Sequence, residues 1–289
     1  MIVHPAQHFL LQGLVDYAGL FPPATLELGQ CLQAFRDYQQ GPAPSLLGRF
    51  VCPAGRLDDV VGHLHSHDAF RISALLKAPE EVELVERFHQ LVNPSVRVDT
   101  VETQWIGSSQ SERWLRRWNY SLYFEVTADH FGEAATFCAV QQGRLGLKFR
   151  TGALQPEGLP PLEQVDEFLR SAHQARVAYK FTAGLHHARP GEYPLTYAKD
   201  APLGRLLGFV PLFGLACLHW WDRIDDNTLL QALGCDQPSL QADQAGLHYQ
   251  GASCSPAEIE EFRLKGGRSF GSCSFTEPLQ DLIEMGWIC

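Results

Sequence analysis

RLGLKFR (144–150) and VAYKFT (177–182) are two short runs rich in apolar and β-favouring residues, and a helix-favouring segment, Pro161–Gln174, lies between them. A strand, a helix and a second strand in this order make a βαβ unit, whose two strands run parallel in one sheet. The two segments therefore predict a pair of neighbouring parallel strands joined by a helix.

The same alternation continues on both sides of this unit, at intervals of roughly 25 residues. The expected strands are 12–17, 46–52, 70–76, 95–101, 121–126, 144–150, 177–182 and 268–273. Eight strand–helix units in a chain of this length predict one (β/α)8 barrel of the TIM type over residues 1–289, rather than an open doubly wound sheet. The long interval before the last strand predicts an insertion, in which the polar segment 222–250 is a candidate lid.

The composition narrows the class of protein. The chain has 289 residues, of which 45% are hydrophobic, and 33 acidic against 23 basic residues give a net charge of -10. This hydrophobic content excludes a disordered chain. An acidic chain of this kind is not expected to bind nucleic acid, because such binding depends on neutralising phosphates with Lys and Arg. We expect a small-molecule substrate, and a homodimer is the commonest assembly for such a protein.

The N-terminus, the cysteines and the apolar runs predict where in the cell the protein lies and whether its cysteines are reduced. The first residues lack the basic segment of a secretory signal, and the eight cysteines contain no C-x-x-C pair. The apolar run 206–221 is too short to span a membrane and contains Pro211. These features predict a cytoplasmic protein with reduced thiols and no membrane contact.

Strand alternation places two lysines inside the barrel. In RLGLKFR the apolar residues Leu145, Leu147 and Phe149 share one face, so Lys148 lies on the other. In VAYKFT the same alternation puts Lys180, and with it Thr182, on the inner face. Because barrel interiors are normally filled with apolar layers, ionisable groups near the carboxyl ends of strands indicate a site.

The same reasoning turns further charged residues inward. Asp99, Glu125 and Arg49 are expected on the inner faces of their strands, and Arg150 lies at the end of the strand that carries Lys148. The two arginines act either as anion clamps or as counter-ions to the acids. Asp16, at the end of the first strand, precedes a Gly and a rigid Pro-Pro pair, which is typical of a fixed active-site loop.

Two lysines on adjacent parallel strands suit covalent chemistry on a carbonyl group. An amine attacks a carbonyl only when it is unprotonated, and a second ammonium nearby lowers its pKa. One lysine would then form a Schiff base, and a carboxylate such as Asp99 would shuttle protons. The iminium withdraws electrons, so a neighbouring carbon–carbon bond can break or form.

The segments that carry these lysines resemble those of a known enzyme family. LKFRTG (147–152) resembles the K-x-S-T-G segment of deoxyribose-phosphate aldolases, and YKFTAGLHH (179–187) resembles their K-x-x-G-G-[IV]-R segment. VRVDTV (96–101) resembles the strand that carries their proton-shuttling aspartate, and GRSFGSC (267–273) resembles their phosphate loop.

The resemblance to these aldolases implies Lys148 as Schiff-base nucleophile, Lys180 as its activator and Asp99 as proton shuttle. Thr182, Gly184 and Ser272 lie within the matching segments and are candidate substrate-binding residues, together with Arg49, Arg150, Glu125 and Asp16. The chain departs from the aldolase pattern at Arg150 and Leu185, which replace a small hydroxyl residue and the second glycine.

A second resemblance covers the whole chain. GLVDYAGLFPPA (13–24), KFTAGLHH (180–187) and SFGSCSF (269–275) are similar to segments of a bacterial protein family with no assigned activity, so this resemblance implies no function.

The lysine pair favours a Schiff-base lyase that acts on a small sugar or keto acid, with or without a phosphate. Two alternatives compete with this hypothesis. His186 and His187 follow the seventh strand, and at most one of them is expected to enter the site as a ligand or an acid–base group. One of them, with Glu125, Asp99 and Asp16, could hold a divalent metal in a barrel isomerase or lyase. The other alternative is a ligand-binding barrel without catalysis. The lyase hypothesis requires neither a metal nor a cofactor.

Overall fold

Eight strands run parallel and close into a ring in the computed structural model, which describes residues 4–115, 120–141 and 143–288. The barrel strands in chain order are β1 (Val15–Tyr17), β2 (Leu47–Pro53), β3 (Phe70–Leu75), β4 (Val96–Gln104), β5 (Ser121–Glu125), β6 (Leu145–Arg150), β7 (Ala178–Thr182) and β13 (Gly267–Ser272). The ring closes where β1 pairs with both β2 and β13. The predicted (β/α)8 barrel is confirmed, and each barrel strand overlaps one of the eight expected runs.

Helices surround the barrel and connect its strands. The helices in chain order are α1 (Pro5–Leu11), α2 (Leu28–Gln40), α3 (Leu57–Val61), α4 (Val82–Leu91), α5 (Ser108–Leu115), α6 (Phe131–Ala139), α7 (Leu162–Ala175), α8 (Phe209–Trp220), α9 (Asp226–Gly234), α10 (Pro256–Lys265) and α11 (Thr276–Glu284). None of the helices in the described ranges combines the length and the apolar character that crossing a membrane requires.

The predicted insertion lies between β7 and β13. It contains the two-stranded hairpin β8 (Gly191–Pro194) and β9 (Leu203–Leu206), then α8 and α9. A small antiparallel sheet follows, made of β10 (Gln241–Ala242), β11 (Leu247–Tyr249) and β12 (Ala252–Cys254). Helix α8 lies within the apolar run 206–221, and every residue of this helix is buried. Its burial on all sides explains why the run is apolar throughout rather than on one face.

Aromatic packing shows that β6 and β7 have the expected orientation. Phe149 of β6 contacts the rings of Phe131 in α6 and Phe168 in α7. Tyr179 and Phe181 of β7 contact Phe168 as well. Because side chains alternate along a strand, these outward aromatic residues leave Lys148 and Lys180 on the inner face. The two lysines are direct register partners across β6 and β7.

A register shift in β4 changes which residues face inward. Val98 pairs with Ile72 of β3, whereas Thr100 pairs with the next residue, Ser73, so Asp99 lies in a bulge. A bulge inserts one residue and reverses the alternation beyond it. β4 also continues to Gln104, beyond the expected end at residue 101. Glu102 therefore enters the interior, on the part of the strand that lies nearer the carboxyl end.

Candidate functional site

A cavity of about 910 Å³ lies at the carboxyl ends of the barrel strands. Gln104, Glu125 and Arg150 line it at the ends of β4, β5 and β6. The β8–β9 hairpin contributes residues 193–198, from the end of β8 and the loop that follows it, and the segment after β1 contributes residues 21–23. The cavity therefore opens on the face of the barrel where TIM-barrel enzymes carry their active sites.

The part of the insertion that reaches this cavity is the β8–β9 hairpin. All residues of the candidate lid, 222–250, are described, and none of them lines the cavity. Helix α9, within that segment, packs against α7 and α8 on the outside of the barrel. Elsewhere in the same segment, the carbonyl of Ala242 accepts a hydrogen bond from the side-chain amide of Gln7 in α1.

The exposed Lys77, after β3, lines the cavity, and of the two lysines inside the barrel Lys148 lines it as well. The Nζ of Lys148 lies 2.7 Å from Oε2 of Glu102 and 2.9 Å from Oε2 of Glu125, and its side chain is only 7% exposed. Both carboxylates also line the cavity. An amine and two potential proton acceptors therefore meet at one wall of the cavity.

Lys180 lies deeper and does not line the cavity. Its Nζ lies 2.7 Å from Oδ2 of Asp16 and 2.5 Å from Oε1 of Glu102. It is also 5.5 Å from the centre of the Tyr123 ring. Burial disfavours the ammonium, but Asp16 and Glu102 outweigh that effect and hold the pKa of Lys180 above its ordinary value.

Glu102 connects the two lysines, and it is not among the residues expected from the sequence. It accepts hydrogen bonds from Lys180 and from Ser73 Oγ at 2.6 Å, and it is ion-paired with Lys148. Burial opposes its ionisation, but the two ammonium groups hold the pKa of Glu102 well below its usual range. The two lysines thus share one carboxylate, whereas strand alternation alone predicts that the two amines are direct neighbours.

The ammonium of Lys148 also governs Glu125. Burial again opposes ionisation, but Lys148 and then Arg150 hold the pKa of Glu125 below its ordinary value. Arg150 Nε lies 3.3 Å from Oε1 of Glu125, and the arginine side chain is 56% exposed at the cavity wall. In this structure Arg150 is a counter-ion to an acid, which is one of the two roles expected for it.

Asp99 and Arg49 pair with each other rather than with the lysines. Arg49 Nε lies 2.6 Å from Oδ1 of Asp99, and Arg71 lies 3.8 Å from its other oxygen. Neither Asp99 nor Arg49 lines the cavity. The expectation that Asp99 lies beside Lys148 and Lys180 is corrected by the β4 bulge, because Glu102 occupies that position instead.

Asp16 is an interior anchor for Lys180. It is fully buried and accepts hydrogen bonds from the Arg49 backbone N–H at 2.7 Å and from Ser269 Oγ at 2.8 Å. A Cβ on residue 48 would lie 2.3 Å from Oδ1 of Asp16, so Gly48 provides the space for this carboxylate. Asp16 does not line the cavity.

Three further residues were expected in the site, and two of them line the cavity. Thr182 and Gly184 line the cavity, and the backbone of Gly184 crosses close to that of Gly152. Ser272 is buried outside the cavity wall, whereas its neighbours Gly271 and Cys273 line it. Alternation explains the difference, since Ser269 and Gly271 share the inner face of β13.

His186 and His187 both line the cavity, although at most one was expected to enter it. His186 Nδ1 lies 2.9 Å from Glu277 Oε2, and its Nε2 lies 3.9 Å from Cys273 Sγ. His187 Nδ1 lies 3.1 Å from Asp281 Oδ2, and its ring stacks on Tyr193. Strand alternation does not apply here, because both histidines follow the end of β7.

The ligand set of the metal alternative is not assembled in the described ranges. There, the one group of three or more His, Cys, Asp or Glu side chains with ligand atoms close together is His65, His67 and Asp68. Asp68 is already ion-paired with Arg36 at 2.8 Å. The carboxylates named for the metal, Asp16, Asp99 and Glu125, bind lysine or arginine instead.

Comparison with known proteins gives a distant structural likeness. The chain is similar to the solved structure "QR15, an Aldolase", with a TM-score of 0.44 and 12% sequence identity over 62% of this chain and 83% of that chain. No protein-family model and no curated protein matches the sequence.

Proposed function

We propose that the protein is a Schiff-base lyase of the class I aldolase type, with Lys148 as its nucleophile. The observation that carries this proposal is the placement of Lys148 on the cavity wall, with carboxylates 2.7 and 2.9 Å from its Nζ. The substrate class is a small sugar or keto acid, because the reaction needs a ketone or aldehyde carbon within reach of this amine.

The neighbouring carboxylates supply the means of deprotonating Lys148. An ammonium must lose a proton before it attacks a carbonyl, and Glu102 and Glu125 both lie within hydrogen-bond distance of Nζ. Glu125 is the better acceptor to exchange protons with substrate, since its side chain is 13% exposed against 4% for Glu102. Glu125 would then return the proton to the hydroxyl that leaves as water when the iminium forms.

Lys180 has a supporting role in this proposal. Its raised pKa and its contacts with Asp16 and Glu102 keep it as an ammonium, so it is not the nucleophile. It holds Glu102 ionised and fixed beside Lys148. This differs from the arrangement expected from the sequence, in which Lys180 lowered the pKa of Lys148 directly.

The iminium on Lys148 would activate carbon–carbon cleavage. It withdraws the electron pair of the bond between the carbons α and β to it, while a base removes the proton of the hydroxyl on the β carbon. The products are an enamine on Lys148 and a free aldehyde. Arg150 and Thr182, which line the same cavity, are in place to contact polar groups of the substrate.

Borohydride trapping tests the proposal directly. Borohydride reduces an iminium to a stable secondary amine, so incubation with pyruvate, dihydroxyacetone phosphate or glyceraldehyde should add the mass of the carbonyl compound less one oxygen atom to the Lys148 peptide. The chain has five lysines, so peptide mapping assigns the adduct without ambiguity. Lys148→Met should abolish the adduct.

Lys265→Met is the matched control, because Lys265 pairs with Glu261 on the exposed side of α10 and should not affect trapping. Absence of any Lys148 adduct across a broad panel of aldehydes, ketones and keto acids would contradict the proposal. An adduct confined to other lysines would contradict it equally.

A ligand-binding barrel without catalysis is the second candidate, and one observation favours it. Both ammonium groups are ion-paired, as expected where lysines stabilise a barrel interior. Under this alternative a carbonyl compound would bind and raise the melting temperature, but borohydride would leave no adduct on Lys148.

A further inference from the structure

Cys273 forms a cluster with two other side chains on the cavity wall. It follows β13 directly, is 7% exposed, and lines the cavity together with His186 and Glu277. His186 belongs to the loop after β7, and Glu277 lies in the first turn of α11. Three different segments of the chain therefore bring a thiol, an imidazole and a carboxylate to one place.

The order of the contacts is that of a nucleophile, a histidine that can exchange a proton with it and a carboxylate that orients the histidine ring. His186 Nε2 lies 3.9 Å from Cys273 Sγ, and its Nδ1 lies 2.9 Å from Glu277 Oε2. The carboxylate fixes the ring so that Nε2 faces the sulfur. Tyr197 Oη lies 3.7 Å from Sγ and donates a hydrogen bond to Glu277 at 3.3 Å.

The charge state of His186 suits this role. Burial disfavours the imidazolium, but hydrogen bonds with Cys273 and Glu277 outweigh burial and raise the pKa of His186 to about 9. A neighbouring imidazolium favours the thiolate form of a cysteine, which is the nucleophilic form.

Other cysteines of the chain have surroundings of the opposite kind. Burial raises the pKa of Cys31 to about 11 and those of Cys52 and Cys138 to about 12. Apolar burial of this kind makes a thiol inert. Cys273 is distinguished from these three by its contact with a histidine and by its access to the cavity.

We propose that Cys273 is a second nucleophile of the cavity, which captures an aldehyde with His186 as proton donor. The sulfur, as a thiolate, forms a bond to the carbonyl carbon, the π electron pair of the C=O bond moves to oxygen, and that oxygen takes the proton of the His186 imidazolium. The product is a neutral hemithioacetal and a neutral imidazole, with no change of oxidation state. The proposal rests on the proposed function for the origin of the aldehyde, which carbon–carbon cleavage would release.

Alkylation by iodoacetamide measures the reactivity of the thiol. In the intact protein at neutral pH, Cys273 should be alkylated about tenfold faster than Cys235, an exposed cysteine that serves as internal reference. His186→Asn should reduce the rate at Cys273 to that at Cys235, and Glu277→Gln should reduce it in part. His65→Asn, an exposed histidine at the other end of the barrel, should leave the rate unchanged. Equal rates at Cys273 and Cys235 in the wild type would overturn the proposal.

Protection by glyceraldehyde separates the two reactive centres. Glyceraldehyde, but not glycerol, should slow alkylation of Cys273 in the wild type and also in Lys148→Met. Protection that persists in Lys148→Met while borohydride trapping fails in the wild type would support the thiol and contradict the proposed lyase. Protection that disappears in Lys148→Met would overturn the thiol proposal, because the aldehyde would then be held by the lysine.

A measurement on the wild type covers the case in which Lys148→Met does not fold. Glyceraldehyde labelled with carbon-13 at its aldehyde carbon should give a bound resonance with the shift of a hemithioacetal. That resonance should be absent from Cys273→Ser. Its absence from the wild type would overturn the proposal.

Discussion

Glu102 is the residue on which the charge balance of the barrel interior depends. It lies between two ammonium groups, 2.7 Å from Lys148 and 2.5 Å from Lys180, and is 4% exposed. Two buried ammonium groups without a carboxylate between them would repel each other in a region of low polarity. The interior therefore needs this carboxylate whatever chemistry the cavity performs.

Glu102→Gln should destabilise the protein by about 3 kcal/mol, because Lys148 and Lys180 each lose one charged hydrogen-bond partner in the buried interior, although Glu125 and Asp16 still pair with them. Urea unfolding at neutral pH measures the free energy of unfolding. Glu261→Gln is the matched control, since the exposed pair of Glu261 with Lys265 contributes at most about 0.5 kcal/mol. Equal stability of the two variants would show that Glu102 does not hold the lysines together.

Asp16 and Asp99 show how residue type alone can mislead. Both are aspartates at inward positions, but Asp16 binds Lys180 whereas Asp99 binds Arg49. What distinguishes them is the space around each carboxylate. Gly48 makes room beside Asp16, and the β4 bulge places Glu102, rather than Asp99, beside the lysines.

At the scale of elements, the loops after β6 and β7 cross where two glycines meet. Gly184 has φ of +75°, and a Cβ there would lie 2.6 Å from the Cα of Gly152 and 2.6 Å from the carbonyl oxygen of Thr151. Thr151 Oγ1 also donates a hydrogen bond to the carbonyl of Ala183 at 2.7 Å. The two loops are thereby held together directly above the strands that carry Lys148 and Lys180.

Gly184→Ala should lower the free energy of unfolding by about 2 kcal/mol or more, from the left-handed backbone and the contact with backbone atoms together. It should also weaken borohydride trapping at Lys148, because the loop at the cavity wall must move.

Gly132→Ala provides the contrast for this prediction. Gly132 is an exposed residue of α6, and no atom from elsewhere in the chain lies within 4 Å of the position that a Cβ would take there. Because alanine favours helices, the free energy of unfolding of this variant should rise by about 0.5 kcal/mol. If Gly184→Ala behaves like Gly132→Ala, the close crossing of the two loops has no energetic importance.

At the scale of the whole molecule, five strands contribute to one buried charge cluster. β1 supplies Asp16, β4 supplies Glu102, β5 supplies Glu125, and β6 and β7 supply the two lysines. The cluster holds three carboxylates against two ammonium groups, and Arg150 pairs with Glu125 at its outer edge. A network that joins most of the ring couples the stability of the barrel to pH.

The free energy of unfolding should decrease as the pH falls below about 4.5. The pKa of Glu102 and that of Glu125 are lower in the folded protein than their ordinary value, so their contribution is complete above that value and is lost as the pH falls through the folded pKa. Urea titrations at several acidic pH values measure the slope. The Glu102→Gln variant should show a shallower slope by up to about 1.4 kcal/mol per pH unit, which corresponds to one proton. Identical slopes would contradict a lowered pKa at Glu102.

The fold was largely predictable from the sequence because alternation is a local property. Phe149 and Lys148 lie one residue apart, so the burial of one on the helix side places the other inside the barrel. The eight runs and their spacing needed no information about distant contacts. The same local reasoning identified Lys148, Glu125 and Arg150, which lie on strands without a bulge near the site.

Glu102, Cys273 and Glu277 were not predictable in the same way. The expected strand ended at residue 101, and a bulge depends on how β4 pairs with β3 rather than on the residues of β4 alone. A longer strand ending at Gln104 is the signal that could have identified Glu102. Cys273 and Glu277 meet His186 only because the loop after β7 reaches the first turn of α11, across some ninety residues of chain.

The order of the residues therefore determined the strands, the helices and the side of the sheet that each residue of an unbroken strand takes, because these depend on neighbours along the chain. Only the closed barrel decided which charges pair. Partners of a buried ion are chosen by distance and available space, and those arise when strands from both ends of the chain meet.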